Sequence, residues 1–160
     1  MVATPISASS RYIPPGVRQY YYVAAIANQA SPTRSELDAG IDLTGEIAEV
    51  SGFTTTSEST ETPDLGSRFT GKIPGRISAD DSSITMYASD DSQDVRQLLP
   101  RDTDGFIVQF PEGDQAGHTM DVFPVKVASA PKATDIEDPG KIEVQFTITA
   151  EPSEDVTVPA

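Results

Sequence analysis

The residues of this chain equipped to do chemistry are mostly carboxylates. It has 25 acidic side chains against 11 basic ones and a net charge of −14. Acidic motifs are therefore tested first. Asp102-Thr103-Asp104-Gly105 has the outline of a calcium loop. With Gly105 at the sixth loop position, Pro100 falls at the first and Pro111 at the twelfth, where a bidentate Glu is required. The motif fails and reads as an Asx turn. Asp38-Ala39-Gly40 and Asp138-Pro139-Gly140 approach the Asp-Thr/Ser-Gly pattern of aspartic proteases. That chemistry needs two carboxylates sharing a proton. Each motif lies in turn-rich sequence and reads as a turn. So many acids always supply pairs at glycosidase spacing, but no Trp offers a sugar platform. His118, the one histidine, sits in a polar turn over 114–119 and reads as an exposed loop residue. Glycine-rich phosphate loops are missing. With no Cys, disulfides and thiolate metal sites are excluded. No catalytic, cofactor-binding or metal residue is assigned, and the chain is not expected to be an enzyme.

The 160 residues make one domain, large enough to bury a core without staples. The first ten residues have no basic region and few apolar side chains, unlike a signal peptide. No apolar run is long enough to span a membrane, so no membrane partner is expected. The acidic balance argues against nucleic-acid binding through a basic patch. It reads either as plain solubility or as a surface that repels DNA phosphates.

The elements that would position any functional surface are strands. The clearest is 142–148, where Ile142, Val144, Phe146 and Ile148 alternate with Glu143, Gln145 and Thr147. Residues 105–110 set Phe106, Val108 and Phe110 on one side, and 120–129 set Phe123, Val125 and Val127 on one side. The three segments read as an antiparallel meander whose apolar faces share one core. Residues 17–27, with Tyr20, Tyr21 and Tyr22, read as a strand with aromatics on both faces. One face meets another subunit, or both are buried in the chain's own domain. Residues 41–56 hold a further strand region with Ile47, Val50 and Phe53, broken by bulges or a bend at Gly45 and Gly52. Residues 68–78 and 82–88 read as a hairpin turning at Asp80-Asp81, with Phe69, Ile73 and Ile77 facing Ile84 and Met86. Pro74-Gly75 in its first strand implies a bulge or an edge.

Helix is scarce. Residues 91–99 form the one convincing helix, capped by Asp90 and Asp91 and ended by Pro100. Val95, Leu98 and Leu99 would pack on a sheet, with Asp94 and Arg96 outward. Residues 31–40 read as a single helical turn with Thr33 and Glu36 as a capping box. It would be a connection or a docking loop, with too few apolar residues for a core helix. The chain begins with an irregular arm, about 1–16, ending in the Pro14-Pro15-Gly16 corner. The polar loop at about 54–67 is rich in Ser, Thr and Glu; it is a hairpin arm or a disordered loop, and composition favours disorder. Residues 134–140 read as an acidic turn and about 151–160 as a polar tail.

Several segments together resemble a known family. Arg11-Tyr12-Ile13-Pro14-Pro15-Gly16-Val17, Pro32-Thr33-Arg34-Ser35-Glu36-Leu37-Asp38-Ala39-Gly40 and Val50-Ser51-Gly52-Phe53 are similar to stretches of major tail tube proteins of long-tailed phages, especially of actinobacterial hosts. Leu98-Leu99-Pro100-Arg101, Gly105-Phe106-Ile107-Val108 and Met120-Asp121-Val122-Phe123-Pro124-Val125 continue the likeness over nearly the whole chain. The resemblance implies a mainly β fold: two packed antiparallel sheets, a sandwich or partial barrel, flanked by one short α-helix. It implies self-assembly into stacked rings, taken as hexamers, around a DNA channel in the virion tail. The N-terminal arm, polar loop and C-terminal tail would carry ring-to-ring contacts. Partners would be the protein itself, tape measure, terminator and distal tail proteins, and DNA in transit. The alternatives are a contractile-injection tube protein and a secreted β-sandwich binding module. If the chain is a conduit, carboxylates should outnumber cations on the lumen wall, with Glu143, Gln145 and Thr147 as one candidate row.

Overall fold

The computed structural model describes residues 3, 5–89, 94–133 and 139–160. The chain is mainly β, with two antiparallel sheets and few helical turns. In chain order the strands are β1 (Gln19–Val23), β2 (Ile41–Asp42), β3 (Ile47–Ser51), β4 (Thr55–Thr62), β5 (Gly71–Ala79), β6 (Ser82–Tyr87), β7 (Asp104–Phe110), β8 (Thr119–Ser129), β9 (Lys132–Ala133), β10 (Lys141–Ile148) and β11 (Ser153–Thr157). Two α-helical turns, α1 (Arg34–Asp38) and α2 (Val95–Leu98), and a 3-10 turn at Thr44–Glu46 complete the described elements.

The larger sheet runs β2-β1-β7-β8-β10-β6-β3. Its hinge is β8, whose free edge is shared: Val125–Ser129 pair with β10, while Thr119–Val122 pair with β11. Side chains from both halves meet in one core. Tyr20, Tyr22 and Ile107 come from one half, and Ile84, Ile142, Val144 and Phe146 from the other. The sheet therefore curls over on itself. A second core covers the opposite face of β1, β7 and β8, with Val23, Val108, Phe110, Met120 and Val122 beneath Leu37 of α1 and Val158.

These two cores correct the expected meander. Val108 pairs with Val122, and Ile107 with Phe123. Phe106 and Val108 thus belong to the second core, while Phe123, Val125 and Val127 belong to the first. Strands covered on both faces carry apolar residues at both parities, so period 2 alone does not pick a face. Val108, Phe123, Val125, Val144 and Phe146 are buried as expected, whereas Phe106 and Ile148 are only partly so. The tyrosine run resolves the same way: Tyr20 and Tyr22 enter the first core and Tyr21 packs against the second.

Four further expectations change. β5 pairs with β4 rather than β6, because β6 is taken up by β10 and β3. Phe69, Ile73 and Ile77 consequently face solvent. The 54–67 segment is mostly strand β4 and not disordered. The tail is also strand: β11 follows β8, and Val158 is buried. Asp94, expected outward, is buried and is itself the N-cap of α2, accepting from the Arg96 amide at 2.9 Å. The proposed caps Asp90 and Asp91, and the turn at 134–138, lie outside the described residues. The first helical turn has the expected Thr33–Glu36 capping box, but its Leu37 is a core residue.

Candidate assembly surface

The sequence offers no catalytic cluster, and the acidic motifs end up apart. Asp102 has φ +65 in a turn held by the Thr103 hydroxyl donating to the Pro100 carbonyl at 2.6 Å, which replaces the expected Asx turn. Asp104 opens β7 and faces Lys126 Nζ at 3.4 Å. Asp38 receives the Arg34 guanidinium at 2.6 Å. His118 Nδ1 lies 3.2 Å from the Glu112 carbonyl in an exposed turn. Among the described residues no group of His, Cys, Asp and Glu could hold a metal ion. None of the described helices is long and apolar enough to cross a membrane.

What the fold does build is a long projection. The chain leaves the larger sheet at Gly52, whose φ is +81 and where a Cβ would come within 2.7 Å of the Asp81 carbonyl, so a side chain has no room. Phe53 follows with φ +55 and turns its ring inward, 5.4 Å from Phe123 and 6.1 Å from Phe146. The buried Ser82 hydroxyl accepts from the Phe53 amide at 2.8 Å and donates to the Asp80 carbonyl at 3.0 Å. This corner anchors both ends of the β4–β5 hairpin where β6 begins. Thr55 Oγ1 donating to Glu154 Oε1 at 2.9 Å ties the root to β11.

Beyond the root the hairpin buries almost nothing in its own chain. It is held by backbone pairing, by the Glu61–Lys72 ion pair at 3.3 Å and by the Thr56–Ser78 hydroxyls at 3.2 Å. Opposite Ser57–Ser59 the register shifts, so β5 carries the extra residue near Gly75 that the Pro74-Gly75 pair implied. Ile77 sits across from Ser57 and Ile73 across from Thr60. Those partners are three residues apart on β4, so the two isoleucines face opposite sides of the ribbon. At the tip, Leu65 and Phe69 stand free, at 108% and 80% exposure. Ile6, Tyr12 and Ile13 of the N-terminal arm are also exposed. Sequence reading missed the tip because Phe69 fitted a strand pattern. The signal that could have found it is the Thr/Ser/Glu alternation of 55–62, which has no apolar face to pack.

Two further features bear on the surface. Arg34 Nη1 and Nη2 grip both oxygens of Asp114, at 2.6 and 2.8 Å, and the Tyr21 hydroxyl donates to Asp114 Oδ2 at 3.1 Å. Those bonds, Arg34 first, hold the Asp114 carboxyl below its ordinary value. Burial, then the Asp114 charge, pushes Tyr21 up to about 12. The clamp fixes α1 to the turn after β7. On the other side of the molecule, Glu143, Gln145 and Thr147 are exposed on the outer face of β10, and their register neighbours include Thr85, Ser83 and Lys126. Glu49 and Ser51 extend the same face onto β3, and Lys141 stands at its end. Lys126 is itself paired with Asp104, so this face carries the carboxylates of Glu49, Glu143 and Asp104 against the amines of Lys126 and Lys141.

The fold is a curled sheet with two cores and a hairpin bare on both faces. The family model described as phage tail tube protein matches residues 8–160. This chain belongs to the phage tail tube protein family: it is a structural component of the virion tail. No curated protein matches its sequence. Among solved structures, its fold is similar to the SPP1 tail tube, at 13% identity over 92% of this chain and 82% of that one, with a TM-score of 0.56. A chain of the sheath-tube complex of the PVC extracellular contractile injection system shares 12% identity over 89% and 92% of the two chains, with a TM-score of 0.61. The tail of a gene transfer agent particle, refined with C6 symmetry, shares 11% identity over 86% and 93%, with a TM-score of 0.53.

Proposed function

We propose that six copies associate head to tail into a ring and that stacked rings form the tube, with the hairpin and the N-terminal arm reaching neighbouring copies. The observation that carries this reading is the β4–β5 hairpin. A two-stranded ribbon is marginally stable alone in water, so one uncovered on both faces calls for cover from outside its chain. The C6 symmetry of the gene transfer agent tail supports the number six. The tail segment is already engaged in its own chain, β11 on β8 and Val158 in the second core, which leaves the two arms as the free connectors.

The channel wall in this reading is the outer face of β10, β6 and β3. It carries hydroxyls and amides with Glu49, Glu143 and Lys141, and the nearby Lys126 is held by Asp104. DNA phosphates meet no row of unpaired cations there, and so slide without sticking. The wall works chiefly by withholding attraction, with a small excess of carboxylates beside it. The protein acts on its cargo without chemistry, and it has no enzymatic role. Its other partners are the tape measure, terminator and distal tail proteins at the tube's core and ends. Negative-stain images of the purified protein test the reading: tubes or rings are expected, and monodisperse small particles at every concentration would overturn it.

A further inference from the structure

We propose that the hairpin tip of one copy, with Leu65, Arg68 and Phe69, docks into the pocket between the Thr44–Glu46 turn, β6 and α2 of a second copy. The inference rests on the tube reading, and names the receptor surface for its projecting arm. The pocket is about 290 Å³ in volume. Its floor is Leu43, Met86, Val95 and Leu98, and its rim carries Asp42 and Glu46. An aliphatic cavity of about 150 Å³ holds a benzene-sized ring, so this one has room for the Phe69 side chain.

The tip complements the pocket in three ways. Its apolar side chains are the most exposed of the hairpin. Its backbone is pre-set by local bonds, with the Gly66 amide donating to Asp64 Oδ1 at 2.8 Å and the Phe69 amide donating to Ser67 Oγ at 3.0 Å. Little order is then left to impose on docking. Arg68 has no ion pair among the described residues, and Glu46 has none either. A guanidinium beside two rim carboxylates supplies the charge match that fixes register between surfaces. The tip stands roughly 26 Å from the root along eight residues of strand, and its leading residues lie free of their own body. A second copy is therefore the occupant. A knob on one surface and a hole on another make a head-to-tail contact, the kind that closes rings or extends a stack.

The chain has no Cys, so engineered thiols report without background. Chains carrying Phe69→Cys are co-assembled with chains carrying Leu98→Cys and oxidised; Tyr87→Cys, on the pocket's rim, serves if Leu98→Cys does not fold. A covalent heterodimer is expected only in the mixture and only after tubes form. Tubes without that heterodimer, or a cross-link within a single doubly substituted monomer, would overturn the docking and leave the tube reading standing. If the unmodified protein forms no tubes, both fall. Charge reversal gives a second reading of the same contact. Arg68→Glu should raise the critical concentration for tubes on the order of tenfold. Adding Glu46→Arg to that variant should restore it, and failure of rescue counts against the pair.

Discussion

β7 and β8 differ from β4 and β5 in what covers them. In the first pair both faces are occupied: Ile107 and Phe123 look into one core, Val108 and Val122 into the other. In the second pair neither face is occupied, although the backbone ladder is as regular apart from its bulge. Backbone hydrogen bonds contribute little net stability, since the unfolded chain bonds to water instead. Burial decides which strands hold themselves: β7 and β8 are held from both faces, whereas β4 and β5 have only their own ladder and root.

The sharpest contrast is between equivalent truncations in the two regions. Phe146 is 1% exposed and touches the Phe53 corner. Phe146→Ala should lower stability by about 3–5 kcal/mol in denaturant titrations of monomer. A loss under about 1 kcal/mol would mean the first core is poorly packed.

Next comes the clamp beside the second core. Arg34→Ala strips the partly buried Asp114 of its paired donors and should cost about 1–2 kcal/mol, between exposed and buried ion pairs. The same site sets pH limits. Asp114 is lowered, so its contribution is present above its unfolded value and is lost as pH falls through the folded one. Tyr21 is raised, so its contribution is present below about 10 and is lost as pH climbs through about 12. Tyr21→Phe should flatten the alkaline loss of stability between those values. An unchanged alkaline limb would show that the Tyr21 hydroxyl is not raised in the folded chain.

Asp94→Ala removes the cap of α2 and its 3.7 Å approach to Lys132. Helix caps are worth about 1 kcal/mol, and a loss of that size should appear in thermal melts. At the bottom of the scale, Ile73→Ala on the hairpin should change monomer stability by less than about 0.5 kcal/mol. A core-sized loss there would erase the contrast between the regions.

Legibility in the sequence follows the same divide. Strand β10 could be read residue by residue because one of its faces is core and the other solvent, so alternation reports the fold. The Thr33–Glu36 box and the Pro14-Pro15-Gly16 corner were legible because capping and turn chemistry are local. The pairing of β5 was not, because Ile73 and Ile77 look like core residues although they cover nothing in their own chain. The core that β7 faces was not legible, because a strand buried on both faces has no silent parity. Helical phase points Asp94 outward, whereas the helix starts one residue after it. The total of −14 does not say where the carboxylates stand, so the charge of any one face was not legible.

The central claim is that the hairpin serves assembly and not its own core. Thr55 and Ala79 pair across the root, so an Asn-Gly turn can join them in place of residues 56–78. The account predicts that this shortened protein melts within a few degrees of the parent monomer and forms no tubes in negative-stain images at concentrations where the parent does. Tubes from the shortened chain, or a body that no longer folds, would contradict it.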